Sequence, residues 1–153
     1  MSAGQVGTAN GAIAERAGPR VGAGVMIVDG ANRVLLTLRR NPPEAGSWSI
    51  VGGRVELFER LEACAVREAR EEAAIDIVIE RLLCVTDHIV ASEGDHWVSP
   101  AYLGRIVAGD VTNVEPDKTL DVAWFPFDAL PGNLTMTARH AIDAYLRLIG
   151  CSP

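Results

Sequence analysis

No apolar run in the chain approaches the roughly 20 residues needed to cross a bilayer. The three cysteines, Cys64, Cys84 and Cys151, are odd in number and widely spaced. They make neither a metal pattern nor a disulfide framework, and read as reduced thiols of a cytoplasmic protein. A basic stripe is also missing: the net charge is -6 and the pI about 5.0. Such a chain is poorly suited to gripping a nucleic-acid polymer, which requires neutralised phosphates. A small phosphorylated substrate stays open, provided that a cation accompanies it. The first twenty residues are rich in Gly and Ala and lack the apolar segment of a signal peptide. Residues 1–19 are expected to form a flexible tail of a non-exported protein.

What remains is a soluble composition, 48% hydrophobic and 22% charged, in 153 residues, enough for one domain over 20–150. Two apolar runs, 21–29 and 33–40, flank the turn-forming "GAN" and predict an antiparallel strand pair. A Pro- and Gly-containing loop, "NPPEAGSW", leads to a short apolar "SIV" ending at Gly52 and Gly53. A helix is expected from about 59 to 73, then β-branched strands over 75–91 and 96–109 that pair across "SEGD". The loop "DVTNVEPDKTLD" precedes "VAWFPF", and Ala138, Ile142, Tyr145, Leu146 and Ile149 recur at helical spacing near the end. Strands on both sides of a helix, with a second helix at the end, predict an α+β fold with helices packed on a mixed sheet.

The first helix carries an anomaly. Taking Leu61 as zero and about 100° per residue, Cys64, Ala65 and Ala69 define an apolar face. Glu68 at about 340° and Glu72 at about 20° lie on that same face, with Glu71 beside them at about 280°. Arg60, Arg67 and Arg70 fall on the opposite side. Arg67 and Glu71 suit an intrahelical ion pair, but Glu68 and Glu72 are like charges four residues apart where packing would favour Leu or Val. With no cation of the helix on their face, a hard divalent ion is the economical counter-charge.

Gly53, five residues, Glu59, seven residues and then "REAREEAAI" resembles the Nudix box. Gly53, Glu59, Arg67, Glu68, Glu71, Glu72 and Ile75 fit its pattern, and Ala69 fits loosely. Trp48 before the double glycine, "NVEPDK" and "WFPFDALP" look like the MutT branch, so the resemblance covers roughly 20–149. Two positions depart. Ala74 replaces the box glycine near the helix end, and Phe58 stands where many members have glycine before Glu59.

The resemblance implies an α/β/α sandwich with a mixed central sheet, and cleavage of a nucleoside diphosphate linked to another group. It implies Mg2+ as cofactor, with Mn2+ able to substitute. Glu68 and Glu72 would be ligands, the Gly52 carbonyl a further one, and Glu71 would hold a metal-bound water or a second ion. One glutamate would orient or deprotonate the attacking water. Arg67 and Glu59 would hold loop and helix together, and Gly53 would let the backbone come close. Glu115 is favoured over Asp121 as an acid from the facing loop, because Pro116 restricts its backbone. Arg39, Arg40 and His96 are candidate substrate contacts, with His88 and Trp97 weaker ones, and Trp124 and Phe125 read as core. The leading expectation is a diphosphatase of nucleoside triphosphates. Its rivals are a hydrolase of nucleotide sugars or ADP-ribose and a non-catalytic nucleotide sensor. No polymer or membrane partner is expected, and a homodimer is common in such folds.

Overall fold

The computed structural model describes residues 18–151. The tail expected over 1–19 therefore lies, up to residue 17, outside the described residues.

Strand β1 (Arg20–Ile27) and strand β2 (Arg33–Arg39) are apolar at consecutive positions because both of their faces are buried. On β1, Val25 and Ile27 enter one core cluster while Met26 enters the other. On β2, Leu35 goes to the first cluster, and Val34 and Leu36 go to the second. The expected hairpin between the two runs does not form. A turn tied by Asp29, whose Oδ1 accepts from the N–H groups of Ala31 and Arg33 at 3.0 and 2.8 Å, sends them into different sheets. They share only the bridge Val28–Val34. A two-stranded ribbon would leave one apolar face of each to water, whereas separate sheets cover both.

The remaining strands are β3 (Trp48–Ser49), β4 (Val51–Arg54), β5 (Asp76–Val90), β6 (Asp95–Ala108) and β7 (Thr119–Pro126). One sheet is mixed, in the order β4-β1-β6-β5, with β1 parallel to β6 and antiparallel to β4. The other is antiparallel, β3-β2-β7. The long strands β5 and β6 pair as expected around a 3₁₀ turn at Ala91–Glu93, with β5 bulged at three places.

Helix α1 (Leu61–Ala73) packs Ala65, Ala69 and Ala73 on the first cluster, against Val25, Ile27 and Val51. Helix α2 (Met136–Leu148) packs Ala138, Ala141 and Ile142 on the second, capped by Thr135 Oγ1, which accepts from the Ala138 N–H at 3.2 Å. The sandwich with helices on both faces is the expected class. Trp124 and Phe125 border the core as read, and Phe125 meets Trp48 edge-on with centroids 4.7 Å apart. Ile149, expected on the apolar face of α2, lies beyond its last turn and is exposed.

Helix α1 starts two residues later than expected. Arg60 is extended, with φ -75° and ψ 148°, which sets the first helical residue at Leu61, and Phe58 before it is left-handed at φ 67°. Its far end stops at Ala74, with φ 58° and ψ 32°, where the N–H of Ile75 turns back to the Ala69 carbonyl at 3.4 Å. Both residues that stand in for glycine thus occupy left-handed positions.

Candidate active site

The helical angles of the glutamates hold in the fold. Glu68 is 12% exposed and its carboxylate lies directly against Gly53. A Cβ at Gly53 would collide with both Glu68 oxygens, so any larger residue there would displace the Glu68 carboxylate from β4. Glu72 Oε2 accepts from the Gly52 N–H at 3.4 Å. Thus β4 meets one carboxylate with a bare Cα and the next with an amide.

Electrostatics follow from this crowding. Burial, then the charge of Glu68, pushes the Glu72 carboxyl up to about 8, with Glu115 adding to the rise and the Gly52 N–H opposing it. Burial also raises Glu68, against the pull of Arg67 and with Glu71 and Glu115 adding to the rise. The charge of Glu115 therefore reaches both from the facing loop, while that of Arg39 reaches Glu72.

Arg67 corrects one inference from the helical angles. Although its Cα is on the far side, its guanidinium curls round to the acidic face. Nε and Nη2 donate to the two oxygens of Glu59 at 2.7 and 2.9 Å. Nη1 donates to Glu68 Oε1 at 2.9 Å and Glu71 Oε2 at 3.1 Å. Nη2 also reaches the Arg54 carbonyl at 3.1 Å. Glu59, in turn, accepts from the Glu56 N–H at 2.9 Å, and these bonds bring its carboxyl down to about 2. Entry loop, strand β4 and helix α1 are locked through one side chain. Cys64, not singled out for this role from the sequence, adds to the lock: its thiol lies 3.5 Å from the Arg54 carbonyl and 3.7 Å from that of Gly53. Burial and the Glu59 charge push that thiol up to about 11, so it stays a donor.

The other candidates separate clearly. Arg39 donates to the Pro43 carbonyl at 2.8 Å and lines a cavity of about 210 Å³ floored by Gly22, Gly24, Gly52 and Gly53. Arg40 turns instead to the facing loop, donating to the Pro116 carbonyl at 3.0 Å. His96 lines a separate open depression beside Asp95 and Glu93, whereas His88, 7% exposed, lines the glycine-floored cavity with Trp97. Glu115 is partly buried and lies 3.6 Å from Lys118 Nζ, and Asp121 is exposed, accepting only from the N–H of Val122.

Reasoning from the sequence missed Ser99 and Glu44 in the same cavity wall. Glu44 accepts from the Met136 N–H at 3.0 Å, a contact across 92 positions that no local pattern could announce.

Among the described residues, no three His, Cys, Asp or Glu side chains are gathered as a ready-made cage. The donor set nevertheless fits a hard cation: half-buried carboxylates, with the charges of Glu68 and Glu115 both acting on Glu72. Mg2+ is commonly held by one or two carboxylates, with water and phosphate oxygens completing its shell.

The NUDIX domain family model matches residues 18–145. The MutT NUDIX hydrolase of Burkholderia pseudomallei superposes with a TM-score of 0.80 at 43% identity, covering 83% of this chain and 98% of that one. The NAD-capped RNA hydrolase NudC of Pseudomonas aeruginosa is 32% identical over 130 residues, 80% of this chain but 42% of the relative. The ADP-ribose pyrophosphatase of Methanocaldococcus jannaschii is 27% identical over 121 residues, 79% of this chain and 70% of that protein. The chain thus spans less than half the length of the NudC relative.

Proposed function

The chain belongs to the Nudix family, and on that premise we propose that it is a Mg2+-dependent hydrolase of nucleoside triphosphates, releasing a monophosphate and pyrophosphate. The observation that carries this reading is the pair of half-buried carboxylates, Glu68 and Glu72, held against Gly53 and Gly52, the glycines that line the cavity. A pure nucleotide sensor has no need for that arrangement, because clustered acids repel a phosphate chain.

Glu68, Glu72 and Glu115 would hold the cation, with the Gly52 carbonyl as a further donor. Bound there, Mg2+ would neutralise phosphate charge and lower the pKa of a coordinated water. The residues of the chain do the rest. Arg67 and Glu59 fix the helix against β4, so that the carboxylates do not drift apart. Glu71, 44% exposed and tied to Arg67, would orient a water at the rim. Arg39, whose charge reaches Glu72, would meet a phosphate oxygen. The Glu72 carboxyl, raised in the absence of a cation, would lose its proton when a cation arrives.

A second reading, hydrolysis of another nucleoside diphosphate linkage such as that of ADP-ribose or a nucleotide sugar, is favoured by the activities for which the NudC and ADP-ribose pyrophosphatase relatives are named. Both readings describe a cytoplasmic enzyme of small nucleotides, and neither calls for a membrane partner. Among the described residues no helix is long and apolar enough to cross a bilayer.

The deciding experiment measures phosphate products from a panel of nucleoside triphosphates, ADP-ribose, NAD and nucleotide sugars, with Mg2+ and with chelator. Pyrophosphate release from triphosphates supports the first reading, and nucleoside monophosphate release confined to ADP-ribose, NAD and the nucleotide sugars supports the second. Turnover unaffected by excess chelator contradicts both.

A further inference from the structure

Phe58 and Leu57, 97 and 83% exposed, are the two barest large apolar side chains among the described residues. They sit at the tip of a turn closed by the Glu59 N–H on the Glu56 carbonyl at 3.0 Å. Phe58 holds φ 67° there, in the third turn position, where a positive φ usually calls for glycine. The chain thus tolerates backbone strain in order to hold an aromatic ring in water. Strain kept without local gain marks a functional segment.

The tip stands beside an uncovered stretch of sheet. The Val55 N–H bonds the Val21 carbonyl at 3.0 Å, carrying the chain along β1 just before the turn. Val21 shares the face of Val25 and Ile27, which pack in the cluster under helix α1, but is itself 41% exposed. Register carries this face across the sheet: Val21 pairs with Val98, and Val98 with Asp87. Val85 and Ile89, two residues either side of Asp87, share its face and are 55 and 57% exposed. None of these apolar side chains belongs to either core cluster. Asp87 in their midst and Arg60 beside the tip are exposed, and neither has an ion-pair partner among the described residues.

We propose that this face is an interaction surface for a second copy of the chain, with the 56–59 turn of each protomer docked on the open sheet face of the other. The tip lies on the β4 flank of the strip and Asp87 on the β5 flank, three inter-strand gaps or about 14 Å apart. A twofold axis through the middle of the strip, near Val21 and Val98, lays each tip over the other copy's β5. Phe58 and Leu57 then meet Val85 and Ile89, and Arg60 meets Asp87, each contact made twice by symmetry. One chain thus carries both the projecting apolar tip and the strip it fits, with opposite unpaired charges beside them, which favours a second copy over an unrelated partner. A standard interface buries about 800 Å² on each side. One tip and one strip per protomer are at the low end of that size, so the dimer is reversible, with a Kd of roughly 10 µM.

Sedimentation velocity of the full chain from about 1 to 200 µM tests this. The expected result is a reversible monomer–dimer equilibrium. Phe58→Gly should raise Kd at least about tenfold, and its fold survives because the change relieves a left-handed angle. Arg60→Asp and Asp87→Arg should each raise Kd at least about fivefold by setting like charges together. The double variant should return it to within about threefold of the unmodified protein, since each new charge then faces its opposite. A protein that stays monomeric throughout would overturn the proposal and leave the strip to another occupant. A dimer indifferent to Phe58→Gly would overturn it too, because its contact must then lie elsewhere. So would a double exchange that fails to restore what the single ones lose. Oligomeric state is read without substrate, so this inference and the hydrolase reading stand or fall independently.

Discussion

Arg67 and Glu59 form a two-pronged ion pair, 2.7 and 2.9 Å, that closes the entry loop onto helix α1 across eight positions of chain. Two parallel charge-assisted bonds of this kind depend on the planar fork of a guanidinium. Lysine can replace the charge but not the fork. Arg67→Lys should therefore lose most of what Arg67→Ala loses, roughly 1–3 kcal/mol of stability, since both free Glu59, Glu68 and Glu71 from their shared partner. Urea denaturation of the two variants checks this, and near-native stability of Arg67→Lys would mean that charge alone suffices.

The same pair sets an acid dependence. Hydrogen bonds from Arg67 and the Glu56 N–H take the Glu59 carboxyl from 4.5 down to about 2. A depressed carboxylate favours the folded state above its unfolded pKa, and the advantage vanishes as pH falls through the folded value. The stability gap between the native protein and Glu59→Gln should be full above about pH 4.5 and close towards pH 2. A gap independent of pH would show that packing, not charge, makes the difference.

Glu72 carries the opposite sign. Its carboxyl is pushed up to about 8, so ionisation opposes folding in metal-free buffer. No penalty applies below about pH 4.5, and it grows as pH rises towards 8. In chelator, Glu72→Gln should gain stability over the native protein across that window. Its kcat with Mg2+ should nonetheless drop by roughly 10²–10⁴. Mg2+ should raise the melting temperature of the native protein, because a ligand of the folded state stabilises it. Near-native turnover of Glu72→Gln would remove this residue from the site.

How far the sequence could be read is clearest in helix α1. Its acids were legible because 3.6-residue periodicity fixes which Cα atoms share a face, and Glu68 and Glu72 do face inward. The reach of Arg67 was not legible, since a long side chain can leave the face of its own Cα. Strand partners were harder still. The runs of β1 and β2 announced burial, but nothing in either states that β1 pairs with β4 and β6, and β2 with β3 and β7. Likewise His96 and His88 look alike in the sequence, and only the pairing of β5 with β6 puts His88 beside Trp97 in the cavity.

Ala74 and Phe58 were legible as departures, and the backbone gives them a physical cost. Both hold left-handed angles, φ 58° and 67°, and Phe58 is also 97% exposed, so packing does not compensate for it. Ala74→Gly and Phe58→Gly should each stabilise the fold by about 1 kcal/mol by relieving the Cβ contact with the backbone. Denaturation midpoints test this. Loss of stability in both would mean that the entropy of a freer unfolded chain outweighs the strain.

The facing loop gives the sharpest test of roles. Lys118 and Thr119 both donate their N–H groups to the Glu115 carbonyl, at 3.0 and 2.9 Å, making a closed turn that presents the Glu115 side chain. The Glu115 charge acts on Glu68 and Glu72, whereas Asp121 is spent on the N–H of its own neighbour at 2.8 Å. If Glu115 shares the cation or the attacking water, Glu115→Gln should cut kcat by about 10²-fold or more and move the pH–rate profile. Asp121→Asn should change kcat less than about threefold, since its carboxylate reaches nothing in the cleft. A rise in KM with kcat intact in Glu115→Gln would make this residue a contact of the substrate and not of the chemistry. Equal small effects from the two substitutions would reduce the loop to a turn that closes the cleft, and leave the cation to Glu68, Glu72 and the backbone of β4.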